Sequence, residues 1–202
     1  MTGDGGPVPD GRPWIGIGAS GALLAAYAAV EDRLFEVLGG FAAAEAVPEA
    51  AVLFDALSQQ HAWHAGLFAE QVPLVPGTPP PGAPAAGAPA AATLDRLAGL
   101  EGAPARLAGL ARVVLPRAVA GYRRHLGAVR APPDAPVARA LRLVVRDEVE
   151  ALLGAEALLE ALLGADGEAP ALDAAWALEE PLLAGGPGLV PWPGPETAPA
   201  GR

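Results

Sequence analysis

The amino-acid sequence predicts an all-α protein, a four-helix bundle with a long Pro/Ala-rich crossover between helices 2 and 3. Three observations support this prediction. Apolar residues recur at helical spacing in four long segments, and no segment shows the alternation that is typical of a strand. Short links join the first helix to the second and the third to the fourth. A bundle is the packing in which such helices bury their apolar faces together.

The first two helices are predicted over residues 20–44 and 47–71. Ser20 is the expected N-cap of the first helix, and Pro48 with Glu49 is typical of the first turn of the second. The inner face predicted for the first helix consists of Leu24, Tyr27, Glu31, Leu34, Phe35 and Leu38. The inner face predicted for the second consists of Leu53, Phe54, Leu57, Gln60, His61, His64, Leu67 and Phe68.

The third and fourth helices are predicted from Pro104 to about residue 130 and from Asp134 to Gly164. We expect Pro116 to kink the third helix, because proline has no backbone N–H to donate. The inner face predicted for the third helix consists of Leu107, Leu110, Val114, Ala118, Gly121 and His125. The inner face predicted for the fourth consists of Val137, Leu141, Val144, Glu148, Leu152, Ala155 and Leu159.

The crossover comprises residues 72–92, which are too rich in proline to be expected as a helix, and a short helix over 93–101 follows. In polyproline-like extension, at ~3.1 Å per residue, the tract covers about 60 Å. A helix of about 25 residues is only about 37 Å long, so the tract can cross from one end of the bundle to the other. The predicted organisation is a flexible arm (1–18), a bundle (19–166) and a mostly irregular C-terminal extension (167–202) with a short helix near 172–180.

Charge and composition exclude several classes of function. The net charge of −10 indicates no nucleic-acid partner. Three arginines at 139, 142 and 146 share a helix face but precede acidic residues, so we interpret them as a self-paired surface. The uncharged run 14–30 only reaches the lower limit of about 17 residues for a bilayer span, and no basic leader precedes it. We therefore expect no membrane contact and a cytoplasmic protein. The chain has no cysteine, which excludes disulfides and thiolate catalysis.

Four ionisable side chains fall on predicted core faces. His61 and His64, two of the three histidines, are about one helical turn apart. Counting residues from the short links places Glu31, His61, His64 and Glu148 at the same level, near the middle of their helices. Buried carboxylates are costly unless they are paired, protonated or bound to a cation. Imidazole and carboxylate suit iron, manganese or zinc. The alternative is a hydrogen-bonded network without metal, in which protonated histidine or Arg117 neutralises the acids.

This arrangement resembles the ferritin-like superfamily, whose four-helix bundle holds a carboxylate-bridged di-iron site and has a long crossover between helices two and three. The resemblance covers about residues 20–163. Glu31 matches the helix-one glutamate. His64 and Glu148 match members of the Glu-x-x-His pairs of helices two and four. His61 and Ala151 replace the other members of those pairs, and helix three has Val114, Arg117 and Ala118 where the family has a glutamate. A single metal fits this ligand count better than two.

The resemblance implies a metal-binding protein, with oxidoreductase as the activity. The pattern does not decide whether the chain is an enzyme. The alternative is a non-catalytic interaction or scaffold bundle with a degenerate, metal-free site and with a homodimer or protein partner on an apolar face. A third hypothesis keeps the polar cavity but gives it a small organic ligand.

Overall fold

The computed structural model describes residues 14–74, 88–130, 132–163, 168–183 and 186–193. Within these ranges the only regular secondary structure is helical and there is no strand, so the all-α prediction is confirmed. The elements are α1 (Ile17–Ala44), α2 (Pro48–Glu70), α3 (Ala88–Ala98), α4 (Ala103–Gly109), a π turn (Leu110–Val114), α5 (Leu115–Ala128), α6 (Ala135–Leu162), α7 (Glu168–Glu179) and a 3-10 turn (Glu180–Leu182). None of the helices in the described part of the chain is both long and apolar enough to cross a bilayer.

Helix α1 begins at Ile17, three residues before the expected start. Gly16 is the N-cap residue, and no side chain caps the helix. The prediction that Ser20 is the cap is wrong, because its hydroxyl lies 2.9 Å from Nε2 of His125 on α5. The inner face is otherwise as predicted, except that Phe35 is 41% exposed.

Helices α1 and α2 run antiparallel. The Tyr27 and Phe68 rings lie 5.3 Å apart in the first half of α1, and the Phe41 and Phe54 rings lie 5.4 Å apart near its end. Helix α2 starts at Pro48, where the proline pattern places it, because the first turn of a helix needs no proline N–H. Gly39 lies close to Ser58, whose hydroxyl donates to the Phe35 carbonyl at 2.8 Å.

Helix α3 begins earlier than the sequence suggested. We expected a proline-rich tract as far as residue 92 and a helix capped by Thr93, but α3 starts at Ala88. Pro89 falls in its first turn, where proline is tolerated, and the alanines that follow are strong helix formers. Thr93 is buried within the helix and donates to the Leu178 carbonyl at 3.4 Å.

Helices α4 and α5 are joined by the π turn into one continuous helical segment. The Leu115 N–H donates to the Leu110 carbonyl, five residues back. The π turn therefore lies just before Pro116, where we expected a kink. It widens the helical turn that precedes this proline, which has no backbone N–H to donate. The whole predicted inner face of this segment is buried.

Helix α6 runs antiparallel to α5. Arg112 pairs with Glu156 at 3.0 Å, and near the connection the Arg130 N–H donates to Asp134 at 2.9 Å. Asp134 is the N-cap residue, as the sequence indicated. Gly164, the expected end of this helix, lies outside the described residues.

The end of α2 and the start of α4 lie at different levels of α1. Phe68, near the end of α2, contacts Tyr27, whereas Arg106 of α4 pairs with Glu45 just beyond the end of α1, at 2.8 Å. Helix α3 lies between these levels, since its Asp95 pairs with Arg33 at 3.0 Å. Helices α1, α2, α5 and α6 bury their apolar faces in one continuous core.

Helix α7 packs against α3 and α4. Arg96 of α3 donates to the Ala177 carbonyl at 2.8 Å, and Arg117 of α5 pairs with Glu179. The helix includes the region near 172–180 where we expected a short helix, and it begins before it. The domain boundaries at residues 18 and 166 stay predictions, and most of the predicted arm lies outside the described residues.

Gly109 lies at a tight contact of α4 with its neighbours. A Cβ added there would lie 2.5 Å from Leu178 and 2.9 Å from Leu100, whereas one added at Gly154 on α6 would meet nothing within 4 Å. We expect Gly109→Ala to lower the free energy of unfolding by about 1–3 kcal/mol, because overpacking displaces buried leucines. Gly154→Ala should raise it by up to about 1 kcal/mol through helix propensity. Urea unfolding of both variants measures this, and equal stabilities would contradict the packing of α7 on α4.

Candidate metal centre

Three helices bring four ionisable side chains to one place in the core. Glu31 comes from the middle of α1, His61 and His64 from α2, and Glu148 from the middle of α6. All four are completely buried. One ligand atom from each lies within 4.8 Å of the ligand atoms of the others. The structure therefore brings together the four residues that were picked from the sequence.

The two histidines and two carboxylates hydrogen-bond across the helices. His61 Nδ1–H donates to Glu31 Oε2 at 2.5 Å and lies 3.4 Å from Glu148 Oε1. His64 Nδ1–H donates to Glu148 Oε1 at 3.0 Å and lies 3.6 Å from Glu31 Oε2. Each histidine thus contacts both carboxylates, and each carboxylate contacts both histidines.

Two further residues belong to this site, and the sequence analysis did not assign either of them to it. The Tyr122 hydroxyl on α5 donates to Glu31 Oε1, the carboxylate oxygen that faces away from His61. Asp147 Oδ2 lies 3.3 Å from His64 Nε2 and is the partly exposed member of the cluster. The site therefore extends from the buried Tyr122 on α5 to the partly exposed Asp147 on α6.

Tyr122 takes the place expected for Val114, Arg117 and Ala118 because side chains on a helix point toward its N-terminus. A long tyrosine side chain therefore reaches a level about one turn before its own Cα. The metal-free alternative allowed Arg117 to neutralise Glu31 and Glu148, but Arg117 does not contact them. It pairs with Glu179 and donates to the Gly186 carbonyl at 2.7 Å. The sequence could have indicated Asp147, because it directly precedes Glu148.

In Glu31, Glu148 and His64, burial and the attraction between opposite charges act on the pKa in opposite directions. For Glu31, burial acts to raise the pKa, but the charges and hydrogen bonds of His61 and His64 lower it to about 2. For Glu148, burial raises the pKa and prevails over the attraction to His61. Burial would lower the pKa of His64, but hydrogen bonds to Glu148 and Glu31 raise it to about 10. Glu31 is thus the ionised carboxylate, and His64 the protonated imidazole between two acids.

The remaining two shifts have the same origin. Burial would lower the pKa of His61, but the charges of Glu148 and Glu31 raise it. Burial raises the pKa of Tyr122 well above its ordinary value, and the charge of Glu31 adds to this. The Tyr122 hydroxyl is therefore protonated and acts as a hydrogen-bond donor to Glu31.

Two buried polar atoms of the cluster have no hydrogen-bond partner among the described residues. They are His61 Nε2 and Glu148 Oε2. An unsatisfied buried polar atom costs about 1–3 kcal/mol. A nitrogen lone pair and a carboxylate oxygen are also the atom types that bind a transition metal. The cluster therefore has the composition of a ligand site with spare coordinating atoms.

The other polar candidates lie elsewhere. The Tyr27 hydroxyl donates to the Gly121 carbonyl at 3.4 Å, as expected for a core tyrosine, and Glu156 pairs with Arg112. Trp63 is exposed beside His64. His125 is buried against Ser20 and Trp192 and is outside the cluster, as the residue count indicated.

Comparison of the chain with protein-family models, with curated proteins and with solved structures finds no match. The functional argument therefore rests on the geometry of the site.

Tyr122 and Tyr27 form a matched pair for testing the site. Tyr122→Phe should lower the free energy of unfolding by about 1–3 kcal/mol, because it leaves Glu31 Oε1 buried without a donor. Tyr27→Phe should cost less than about 1 kcal/mol, since its hydroxyl makes only a long bond to a carbonyl. Urea unfolding at neutral pH compares them. Equal losses would show that Tyr122 does not hold Glu31.

The lowered pKa of His125 predicts that the free energy of unfolding falls in acid. Burial lowers its pKa from 6.5 to about 4, against the smaller effect of Asp134. Between these values the unfolded chain takes up a proton that the folded protein excludes. Its contribution is therefore complete above pH 6.5 and is lost as pH falls toward 4, at about 1.4 kcal/mol per pH unit. His125→Gln should remove this part of the slope in unfolding measured from pH 7 to 4. A variant with the wild-type slope would contradict the shift.

Proposed function

We propose that this chain is a four-helix bundle of the ferritin-like kind that binds one transition-metal ion through Glu31, His61, His64 and Glu148. Iron, manganese and zinc are the metals that the donor set suits. The observation that supports this proposal is the convergence of four completely buried ligand side chains within 4.8 Å. The antiparallel pairs α1–α2 and α5–α6, and the long connection between α2 and α4, support the bundle.

The residues present fit a divalent cation. With both imidazoles deprotonated, as ligation requires, and both carboxylates ionised, the four side chains carry a formal charge of about −2, which a divalent ion would offset in a core that tolerates little net charge. His61 Nε2 and Glu148 Oε2, which have no other partner in the described chain, are available to it. The helix-three position that holds a glutamate in ferritin-like proteins has no carboxylate here, and Tyr122 supplies the contact from that side. This composition favours one ion over two.

Two neighbours orient the ligands. Tyr122 holds Glu31 Oε1 and leaves Oε2 on the side of the histidines. Asp147 accepts the Nε2 proton of His64, so that Nδ1 is the nitrogen that can ligate. A carboxylate on the second ring nitrogen is the usual way in which proteins fix a ligating histidine. Ligation requires His64 to give up the Nδ1 proton that it donates to Glu148.

A bound transition metal would supply Lewis-acid or one-electron redox chemistry, and this is the basis for proposing an oxidoreductase. The chain's own contribution is an environment without solvent exposure, since none of the four ligands is accessible to water. Tyr122 keeps its proton there and serves as a donor. Asp147 is the acidic group that connects the buried histidine with the surface.

The scaffold alternative has one specific observation in its favour. Glu31 with His61 and Glu148 with His64 already form hydrogen-bonded pairs that need no metal. In that case the cluster fixes the register of the helices, as buried polar groups do in some bundles. Chelators would then leave the melting temperature unchanged.

Elemental analysis after supplementation with iron, manganese or zinc tests the proposal. Wild type should hold about one ion per chain, and His61→Gln/His64→Gln should hold none. His125→Gln is the matched control, because it removes the third buried histidine outside the cluster and should bind metal like wild type. A wild type with no more metal than the double variant would overturn the proposal.

Thermal unfolding provides a readout that does not depend on the double variant folding. A metal that binds the folded state at 100 times its dissociation constant stabilises it by about 2.7 kcal/mol. The melting temperature of wild type should therefore rise with added metal and fall again with chelator. An unchanged melting temperature, together with no bound metal, would favour the scaffold alternative.

A further inference from the structure

One end of the helices carries a concentration of arginine. We call it the basic end and define it by Arg123, Arg124, Arg130, Arg139 and Arg142. It lies where α5 ends and α6 begins, and the start of α1 is beside it, since Ile15 N–H donates to the Ala128 carbonyl at 3.3 Å. Arg123, Arg124, Arg139 and Arg142 are exposed.

Several of these guanidinium groups have no acidic partner. Arg123, Arg139 and Arg142 make no hydrogen bond or ion pair with any residue that the structure describes. The self-paired surface expected for this face holds for Arg146, which contacts Glu150 at 3.3 Å, and is wrong for Arg139 and Arg142. Because α5 and α6 are antiparallel and joined at residues 130–134, Arg123 lies at the level of Arg139 and Arg142. Unpaired positive charge is thus grouped on two adjacent helices.

The charge of the chain is strongly segregated. Residues 118–146 contain six arginines and one acidic residue, Asp134, although the whole chain has a net charge of −10. Asp134 is itself engaged by the Arg130 backbone N–H. The net charge was the ground for expecting no nucleic-acid partner, and the arginines at 139, 142 and 146 were interpreted as a self-paired surface. Of the 23 acidic residues, 22 therefore lie outside residues 118–146.

Exposed apolar side chains lie at the same end. Trp14 and Ile17, at the start of α1, are 59% and 65% exposed, and Leu74, just after α2, is 99% exposed. The Trp14 ring lies 6.0 Å from the Arg130 guanidinium. Because α1 and α2 are antiparallel, the end of α2 lies on the half of α1 that begins at Ile17, with Phe68 against Tyr27. The end therefore presents an apolar tip beside a basic surface.

We infer that the basic end docks on an anionic lipid surface. Arginines beside such a surface each contribute attraction, and exposed tryptophan and aliphatic side chains enter the interface between headgroups and acyl chains. Both components are present on one end of this molecule. A nucleic acid would use the arginines and leave the apolar tip in water. Trp14 and Ile17 therefore favour a lipid surface over a phosphate polymer.

The acidic remainder of the chain does not oppose this docking. At physiological ionic strength the Debye length is about 8 Å, so charges farther from the lipid surface are largely screened. Helix α1 has 28 residues and is therefore about 42 Å long, so acidic residues near its far end, such as Glu49, lie well beyond that distance. The positive charge of the basic end is thus the main electrostatic contribution to binding an anionic lipid surface.

Vesicle co-sedimentation of the full chain tests this inference. Wild type should bind vesicles that contain about one-third phosphatidylglycerol and should not bind vesicles of phosphatidylcholine alone. Arg123→Gln/Arg139→Gln/Arg142→Gln should weaken binding about 100-fold, because each arginine near an anionic surface contributes about fivefold. Trp14→Ser/Ile17→Ser should also weaken it while leaving the basic residues intact.

The matched control is Val52→Glu/Ala56→Glu/Gln59→Glu, which changes the net charge by the same three units on exposed positions of α2 near the opposite end. It should bind vesicles like wild type. The inference is overturned if wild type does not bind anionic vesicles, if both triple variants lose binding equally, or if the arginine variant loses retention on an oligonucleotide and not on vesicles. Circular dichroism confirms that each variant is folded, and metal content is not involved in any arm.

Discussion

The contact of two buried carboxylates with two buried histidines is the constraint on which the centre of this structure depends. Each of these groups is costly to bury alone, and each is neutralised by partners from another helix. A shift of one residue along α2 would rotate His61 and His64 by about 100° and separate them from Glu31 and Glu148. The cluster therefore fixes the rotation and the register of α1, α2 and α6 more strictly than their many alanines can.

Much of this site could be predicted because the relevant distances along the chain are short. The link between α1 and α2 is brief, so equal counting from it places Glu31 opposite His61. The same counting from the link before α6 places Glu148 at that level. Counting fails on the third long helix, because Tyr122 reaches a turn back along the helix and the π turn interrupts the regular repeat. Side-chain length and direction are not visible in a pattern of apolar spacing.

Local chemistry explains the other differences between expectation and structure. Pro89 was expected to exclude a helix, yet the first turn of α3 accommodates it. Ser20 has the side chain of a cap but is buried against His125, so a tertiary contact replaces the local one. On α6, only Arg146 has an acidic residue four positions later, whereas Leu143 and Arg146 occupy the corresponding positions after Arg139 and Arg142. The i,i+4 rule thus distinguishes the paired arginine from the two unpaired ones.

The unsatisfied atoms of the cluster bear on what the cluster is for. A bundle that needed only a stable core would lose little by replacing a buried ion-paired group with apolar side chains of similar size. Here His61 Nε2 and Glu148 Oε2 stay without a partner in the described chain, while the opposite atoms of Glu31 and His64 are held by Tyr122 and Asp147. This arrangement orients two ligands and leaves two atoms unsatisfied. It is costly as a purely structural network, and under the proposed function a cation would offset that cost by engaging the atoms that the protein leaves unpaired.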